Sequence, residues 1–302
     1  MIIRLFVMTF DYITQLRWSS PHYLVAHHPR GIWVWECGIS KPIYTNKARF
    51  IGISKNEEFL LYRHFLLPRH EAYHIPTKQV VTVKDLSAQD FTPQNRFYLD
   101  YENFRGVQMI DALEKAQQRN IAIGDEYQQH TLVMSAISPS GKEIAIVREQ
   151  DAGGFETVHG GCYTYLGKHL FSFPIQRGYF PFIRFDAHFQ RLAVSINEHT
   201  VAIYEMPTGR QIELFQSYRV GSIRALAFNP QNPMRLAYID SQSTWKIRFG
   251  NGHVLSRHED IKIESLAFSP DGNQLAILRA DGSIRIYRYP ELKLVESYEI
   301  GA

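Results

Sequence analysis

At 302 residues, with 45% hydrophobic and 13% aromatic content, the chain can bury a sizeable core and is far from disordered in composition. Its 33 basic and 30 acidic residues leave a net charge of +3, too small and too dispersed to point to nucleic acid. No apolar run approaches the roughly 20 residues that span a bilayer, so membrane insertion is not expected. Two cysteines, Cys37 and Cys162, make no disulfide framework and fit reduced thiols in a cytoplasmic protein.

Taken in chain order, residues 1–10 are an apolar run read as a β-strand. Asp11 interrupts it and no small-residue cleavage site follows, which argues against a signal peptide. From there one unit repeats, and its clearest copy is 265–295. Four short extended runs are separated by Ser269-Pro270-Asp271-Gly272, Ala280-Asp281-Gly282 and Pro290. Asp-Gly and Pro-Asp-Gly supply the backbone angles that tight hairpins need. Four hairpin-linked strands predict one antiparallel sheet, a single propeller blade.

Anchoring on Phe268, where the first strand of that copy ends, gives six earlier anchors: Trp18, Ile53, Phe91, Ile137, Phe185 and Phe228. Their spacings run from 35 to 48 residues and average about 42, the length of a four-stranded blade. Blade 1 carries Ile32-Trp33-Val34-Trp35-Glu36 as its third strand. Blade 2 follows from Phe50, and blade 3 is read as 91–95, 97–100 and 107–111. For 106–119 a helix with an Asp111/Lys115 pair competes with strand and turn, and its place in the repeat favours strand and turn. Blade 4 includes a Gly-rich excursion, 151–161, read as a flexible hairpin loop before a third strand at 162–165. Blades 5 and 6 complete the series. Tyr73-His74-Ile75-Pro76, Tyr204-Glu205-Met206-Pro207 and Tyr287-Arg288-Tyr289-Pro290 align without a gap at the end of the third strand. The expected fold is therefore all-β: a single β-propeller over 1–302, with seven four-stranded antiparallel blades. Residues 1–10 pair on the last blade and help close the ring, because an open edge is a liability.

Phe268-Ser269-Pro270-Asp271-Gly272 and Ala280-Asp281-Gly282-Ser283-Ile284-Arg285-Ile286-Tyr287 resemble a WD-repeat propeller, with weaker copies over nearly the whole chain. In that family the third strand ends in Trp-Asp; here those positions read Trp35-Glu36, Ile110-Asp111, Tyr204-Glu205 and Tyr287-Arg288. No Trp-Asp dipeptide and no Gly-His before the first strand occurs, which places the likeness at the degenerate edge of the family. The resemblance implies a scaffold that binds proteins or peptides on one face, without catalysis of its own.

The motifs that offer chemistry mostly decline it. His70-Glu71-Ala72-Tyr73-His74 matches the zinc-protease pattern, but Pro68 and Pro76 bracket it and the repeat places it on a strand. His22, His27, His28 and His64 could share a metal only if their loops meet; solvated turn histidines are the plainer reading. Asp151-Ala152-Gly153-Gly154 and His159-Gly160-Gly161 lack the lysine and following helix of a phosphate cradle. No catalytic residue, cofactor or metal is expected.

A stronger signal lies in the loops joining strands two and three and those joining consecutive blades. On blades 2 to 5 they carry Arg63, Phe65, Phe104, Arg177, Tyr179, Phe180, Tyr218 and Arg219. Arginine and aromatic loop residues are typical of binding hot spots. The expected activity is protein or peptide binding through this rim, with membership of a larger complex open. Two rivals stand beside it: an enzyme or small-ligand binder using the central channel, and a secreted sensor propeller.

Overall fold

In a computed structural model of the chain, the described residues are 15–18, 22–28, 31–39, 42, 44–46, 48–64, 70–87, 89, 91, 96–100, 107–113, 118–121, 130–152, 155–176, 182–217, 223, 225–240 and 243–299. They form seven antiparallel sheets in chain order, six with four strands and one with three. Blade 1 is β1 (Gln15–Trp18), β2 (Tyr23–His28), β3 (Gly31–Glu36) and β4 (Tyr44–Asn46). Blade 2 is β5 (Ala48–Ile53), β6 (Phe59–His64), β7 (His70–His74) and β8 (Gln79–Val81). Blade 3 is β9 (Phe97–Asp100), β10 (Val107–Asp111) and β11 (Gln118–Ile121). Blade 4 is β12 (His130–Ile137), β13 (Glu143–Ala152), β14 (Phe155–Thr164) and β15 (His169–Phe173). Blade 5 is β16 (Ile183–Phe185), β17 (Arg191–Ser195), β18 (Thr200–Glu205) and β19 (Gln211–Gln216). Blade 6 is β20 (Leu226–Asn229), β21 (Asn232–Ile239), β22 (Thr244–Phe249) and β23 (Val254–His258). Blade 7 is β24 (Ile263–Phe268), β25 (Gln274–Arg279), β26 (Ser283–Arg288) and β27 (Lys293–Glu299). First strands touch one another from blade to blade, β12 to β16, β16 to β20, β20 to β24 and β24 to β1, so they are the innermost. The molecule is a β-propeller.

One turn design links first and second strands. A short polar side chain accepts the backbone N–H five residues on: Ser54 from Phe59 at 2.9 Å, Ser138 from Glu143 at 3.2 Å, Asp186 from Arg191 at 2.7 Å and Ser269 from Gln274 at 2.9 Å. Three residues after each of these, the backbone is left-handed: Glu57 (φ 62°), Gly141 (71°), Phe189 (56°) and Gly272 (71°). Glycine carries that conformation without steric cost and the other two positions bear some strain.

The core lies between blades rather than inside them. Opposite the first buried residue of each second strand, the third strand presents a large side chain to the preceding blade. Trp35 sits opposite Leu24, Tyr73 opposite Leu60, Tyr204 opposite Leu192 and Tyr287 opposite Leu275. Tyr73 packs with Val25, Ile32 and Val34 of blade 1. Tyr204 meets Phe171 of blade 4 at 5.7 Å, and Tyr287 meets Trp245 of blade 6 at 5.4 Å between ring centroids. In blade 6 the position belongs to Arg248, opposite Leu236. Its guanidinium lies 4.8 Å from the Phe215 ring centroid and 2.5 Å from Glu213, both on blade 5. Charge and stacking there replace an aromatic ring.

The same position closes the ring. Trp35, fully buried, packs with Tyr298 of β27 at 6.1 Å, within a cluster that joins Leu16, Leu24 and Ala26 to Ala276, Leu278 and Ile286. Across the seam Leu16 N–H donates to Ser265 Oγ at 3.0 Å, and Gly38 N–H donates to the Tyr298 hydroxyl at 2.9 Å and to the Glu296 carboxylate at 3.4 Å. Among the described residues each blade comes from one contiguous stretch of chain, so side-chain packing carries the closure. The strand expected over 1–10 lies outside the described residues.

Two local expectations change. The described residues of 151–161 are strand, not loop: β13 and β14 pair out to Ala152 opposite Phe155, in a run carrying the β-branched and aromatic residues that favour strands. Phe91 is 3% exposed but lies in a bend, and it packs with Ile51, Leu61, Ala72 and Val83. Within 106–119 the described residues lie in β10, in a bend at 112–113 and in β11, with no helix among them.

Trp35→Ala should cost about 3–5 kcal/mol, the usual range for an emptied aromatic core site, seen as a lower urea midpoint. Leu166→Ala, at a residue 73% exposed, should stay within about 0.5 kcal/mol. A Cβ on Gly272 would stand 2.4 Å from Asn229 Oδ1, whereas one on Gly252 meets open space at a similar positive φ. Gly272→Ala should therefore lower the midpoint more than Gly252→Ala, whose cost is backbone strain of about 1–2 kcal/mol.

Candidate functional site

First strands run toward the hairpins described above. The opposite rim therefore gathers the loops between second and third strands and those between blades. Of the expected contact set, Arg63 lies within the described residues, part-exposed on β6 and paired across the sheet with His70. Phe65, Phe104, Arg177, Tyr179, Phe180, Tyr218 and Arg219 lie outside them.

Where this rim is described, between blades 6 and 7, it is built on a buried carboxylate. Glu259, 2% exposed, accepts the Tyr287 hydroxyl at 2.6 Å, Arg285 at 2.9 Å and the Trp245 indole N–H at 3.3 Å. Arg257 lies 3.5 Å away and stacks over the Tyr287 ring, its Cζ 4.6 Å from the centroid. Burial, then the hydrogen bond to Glu259, hold the Tyr287 hydroxyl above its ordinary pKa, so it stays a donor. Next door Arg279, 4% exposed, binds Asp260 at 2.6 Å and Ser283 at 3.0 Å. The resembled family's buried network centres on histidine and aspartate; here one glutamate with two arginines ties the third strands of two blades together. The sequence held a faint signal, Arg257-His258-Glu259-Asp260 at a strand end, but the partners are up to 28 residues away.

Several candidate chemistries meet geometric objections. His70 and His74 lie on strand β7, where four residues span about 13 Å, too far for one metal. His74 instead contacts Thr77 at 2.6 Å. His22 contacts Glu57 at 2.8 Å, while the side chains of His27, His28 and His64 are outside the described set. Burial, aided by Glu296 and Glu36, pushes the Cys37 thiol up to about 12; burial does the same at Cys162, also to about 12. Neither is a thiolate at neutral pH.

The innermost strands add a feature the sequence did not reveal. One residue before the anchor, each carries Arg17, Gly52, Ala136, Arg184, Ala227 or Ala267, aligned by pairing with the second strand. Arg17, Ala136, Arg184 and Ala227 are part-exposed there, whereas Leu16, Ile51, Ile183 and Leu226 one residue earlier are buried. Gly52 and Ala267 of the row are buried, and Ala136, Ala227 and Ala267 pack against the cores that their blades share with the next blade.

A family model described as the anaphase-promoting complex subunit 4 WD40 domain matches residues 225–302. Among solved structures, hydrazine synthase of Kuenenia stuttgartiensis superposes with a TM-score of 0.64 at 13% identity, over 96% of this chain and 99% of that one. The Cps50 (Swd1) β-propeller domain of Myceliophteria thermophila gives 0.62 at 12%, over 92% and 97%. At such identities the likeness is one of fold. No curated protein matches the chain in sequence. Fold and repeat match agree: this is a β-propeller. Over 225–302 the chain is also similar in sequence to a WD40 repeat domain.

Glu259→Ala would strand two guanidiniums, an indole and a phenol at once. It should cost about 3 kcal/mol in urea melts, the low end for a broken buried pair because Arg257 and Arg285 keep part of their hydration. Faster amide exchange over 259–262 should accompany it, with the blade 1 amides unchanged.

Proposed function

We propose that the chain is a non-enzymatic protein–protein interaction module of the cytoplasm, formed as a single propeller domain over 1–302 and working as a subunit of a larger complex. The supporting observation is the propeller fold itself, together with a repeat match to a WD40 domain described as belonging to a complex subunit. The contact surface in this reading is the rim bearing Arg63, Phe65, Phe104, Arg177, Tyr179, Phe180, Tyr218 and Arg219. Large aromatic area and fork-shaped guanidiniums on loops give affinity at low entropic cost, provided the loops are held by a rigid base. The glutamate-centred network between blades 6 and 7 is such a base on the same rim. Residues 1–10 complete the ring by pairing on its last blade. Among the described residues no helix is long and apolar enough to cross a membrane, in keeping with a partner met in solution.

The test is a tagged pull-down from the native host, read by mass spectrometry, comparing wild type with the combined Arg63→Ala, Tyr179→Ala and Arg219→Ala variant. The expected result is a partner retained by wild type and lost by the variant at unchanged melting temperature. The same partners on both, or a variant that no longer folds, would remove the rim from the role.

A further inference from the structure

We infer that the rim opposite the proposed contact surface, where the hairpins of blades 5 to 7 meet, docks an acidic peptide segment with Arg235 as its anchor. All hairpin residues of these blades are described: 186–191, 205–211, 229–235, 249–254, 269–274 and 288–293. Arg191 and Arg235 hold equivalent places, each one residue before the first buried leucine of its second strand, Leu192 and Leu236. Both are part-exposed; Arg288 at the end of β26 and Lys293 at the start of β27 are exposed. Arg235 lies over two rings, its Cζ 5.1 Å from the Tyr289 centroid and 5.8 Å from that of Phe249. Phe268 meets Tyr289 edge-on at 6.0 Å and steadies this platform. Contact with ring faces consumes no hydrogen-bond donor, and the Arg235 donors reach no acceptor among the described residues.

Charge selects the partner. Arg191, Arg235, Arg288 and Lys293 enter no ion pair among the described residues. Of the carboxylates on this rim, Asp186 accepts the Gln190 and Arg191 backbone N–H groups, both at 2.7 Å, and Asp271 accepts Ser269 and Asn273 within its own turn. Glu205 takes Arg210 at 2.9 Å, which leaves Glu291 alone against those cations. Across the molecule the balance differs, because Glu259 and Asp260 already hold Arg257, Arg279 and Arg285. Arg191 also donates to the Pro233 carbonyl at 3.4 Å and to the Met234 sulfur. Met234, 46% exposed, thus lies between the two arginines as apolar surface for the stem of an acidic side chain. Equivalent positions on packed sheets stand about 10 Å apart, a span that an extended chain covers in about three residues and a compact anion does not. A part-buried guanidinium without an acceptor is costly, and a carboxylate supplies two matched oxygens. None of this involves the proposed contact set, so either reading can fail alone.

The test is fluorescence anisotropy on the full chain at constant ionic strength, with labelled hexaglutamate as probe and labelled hexaglutamine as control. Extended, the probe spans about 20 Å, two blade spacings. Saturable binding of hexaglutamate but not of hexaglutamine is expected, weakened at least about tenfold in Arg235→Gln. Lys142→Gln removes the same charge from an exposed hairpin position on blade 4 and should weaken binding less than about twofold. Arg235→Lys, which keeps the charge but loses the planar fork, should fall between. If Arg235→Gln does not fold, the exposed pair Arg288→Gln/Lys293→Gln carries the test, with a loss of about tenfold expected. Wild type that binds neither peptide, or a folded variant of either kind that binds as wild type does, overturns the inference. So does an equal loss in Lys142→Gln, the mark of net charge alone. Inorganic phosphate that displaces the probe as well as unlabelled hexaglutamate does reassigns the site to a compact anion and overturns peptide docking.

Discussion

The propeller depends on one repeated contact, the large side chain at the end of each third strand lying on the blade before it. A lone four-stranded sheet has two faces to bury and no partner of its own, so blades gain stability only through their neighbours. Trp35, Tyr73, Tyr204 and Tyr287 all make that contact. Because the sheets form a ring, the contact made by Trp35 against blade 7 joins the two ends of the array. Loss at another blade weakens one junction in a closed series. Loss at Trp35 acts on the seam where the described chain supplies packing and the hydrogen bonds of Leu16 and Gly38 rather than a shared strand.

Degeneracy in the repeat follows from the same geometry. The position requires area and a fit to the preceding sheet, and a ring is only one way to provide them. Arg248 supplies a planar guanidinium over Phe215 and adds an ion pair to Glu213, half-buried on both sides. Glu259 likewise ties two blades through a carboxylate, in place of a histidine-centred network. A motif defined by residue names fades under such exchanges, while the contact it served persists.

How much could be read from the sequence follows the range of the interactions. The turns were legible because they are local: Ser269-Pro270-Asp271-Gly272 fixes its own hairpin, and Ser138-Pro139-Ser140-Gly141 does the same. The Tyr-x-x-Pro alignment marked third-strand ends correctly for the same reason. The glycines at 153–154 and 160–161 suggested a loop, yet the Val158 and Thr157 pairs that extend the ladder decide the local structure. Glu259 escaped notice because its partners come from two blades. Arg17 and Arg184 looked like ordinary strand residues, since only strand pairing puts them in one row with Ala136, Ala227 and Ala267.

That row also shows what the innermost strands cost to build. Near the axis the innermost strands converge, and alanine or glycine is the cheapest occupant: no rotamer entropy is lost and no polar group is taken from water. An arginine there gives up both, and its lowered pKa records the desolvation. Such a cost is borne in a folded protein when something offsets it. The Ile183 carbonyl offsets part of the cost for Arg184, as a neutral acceptor worth less than a carboxylate. The rim is different, since arginines on exposed loops keep their hydration until a partner arrives and so constrain folding little.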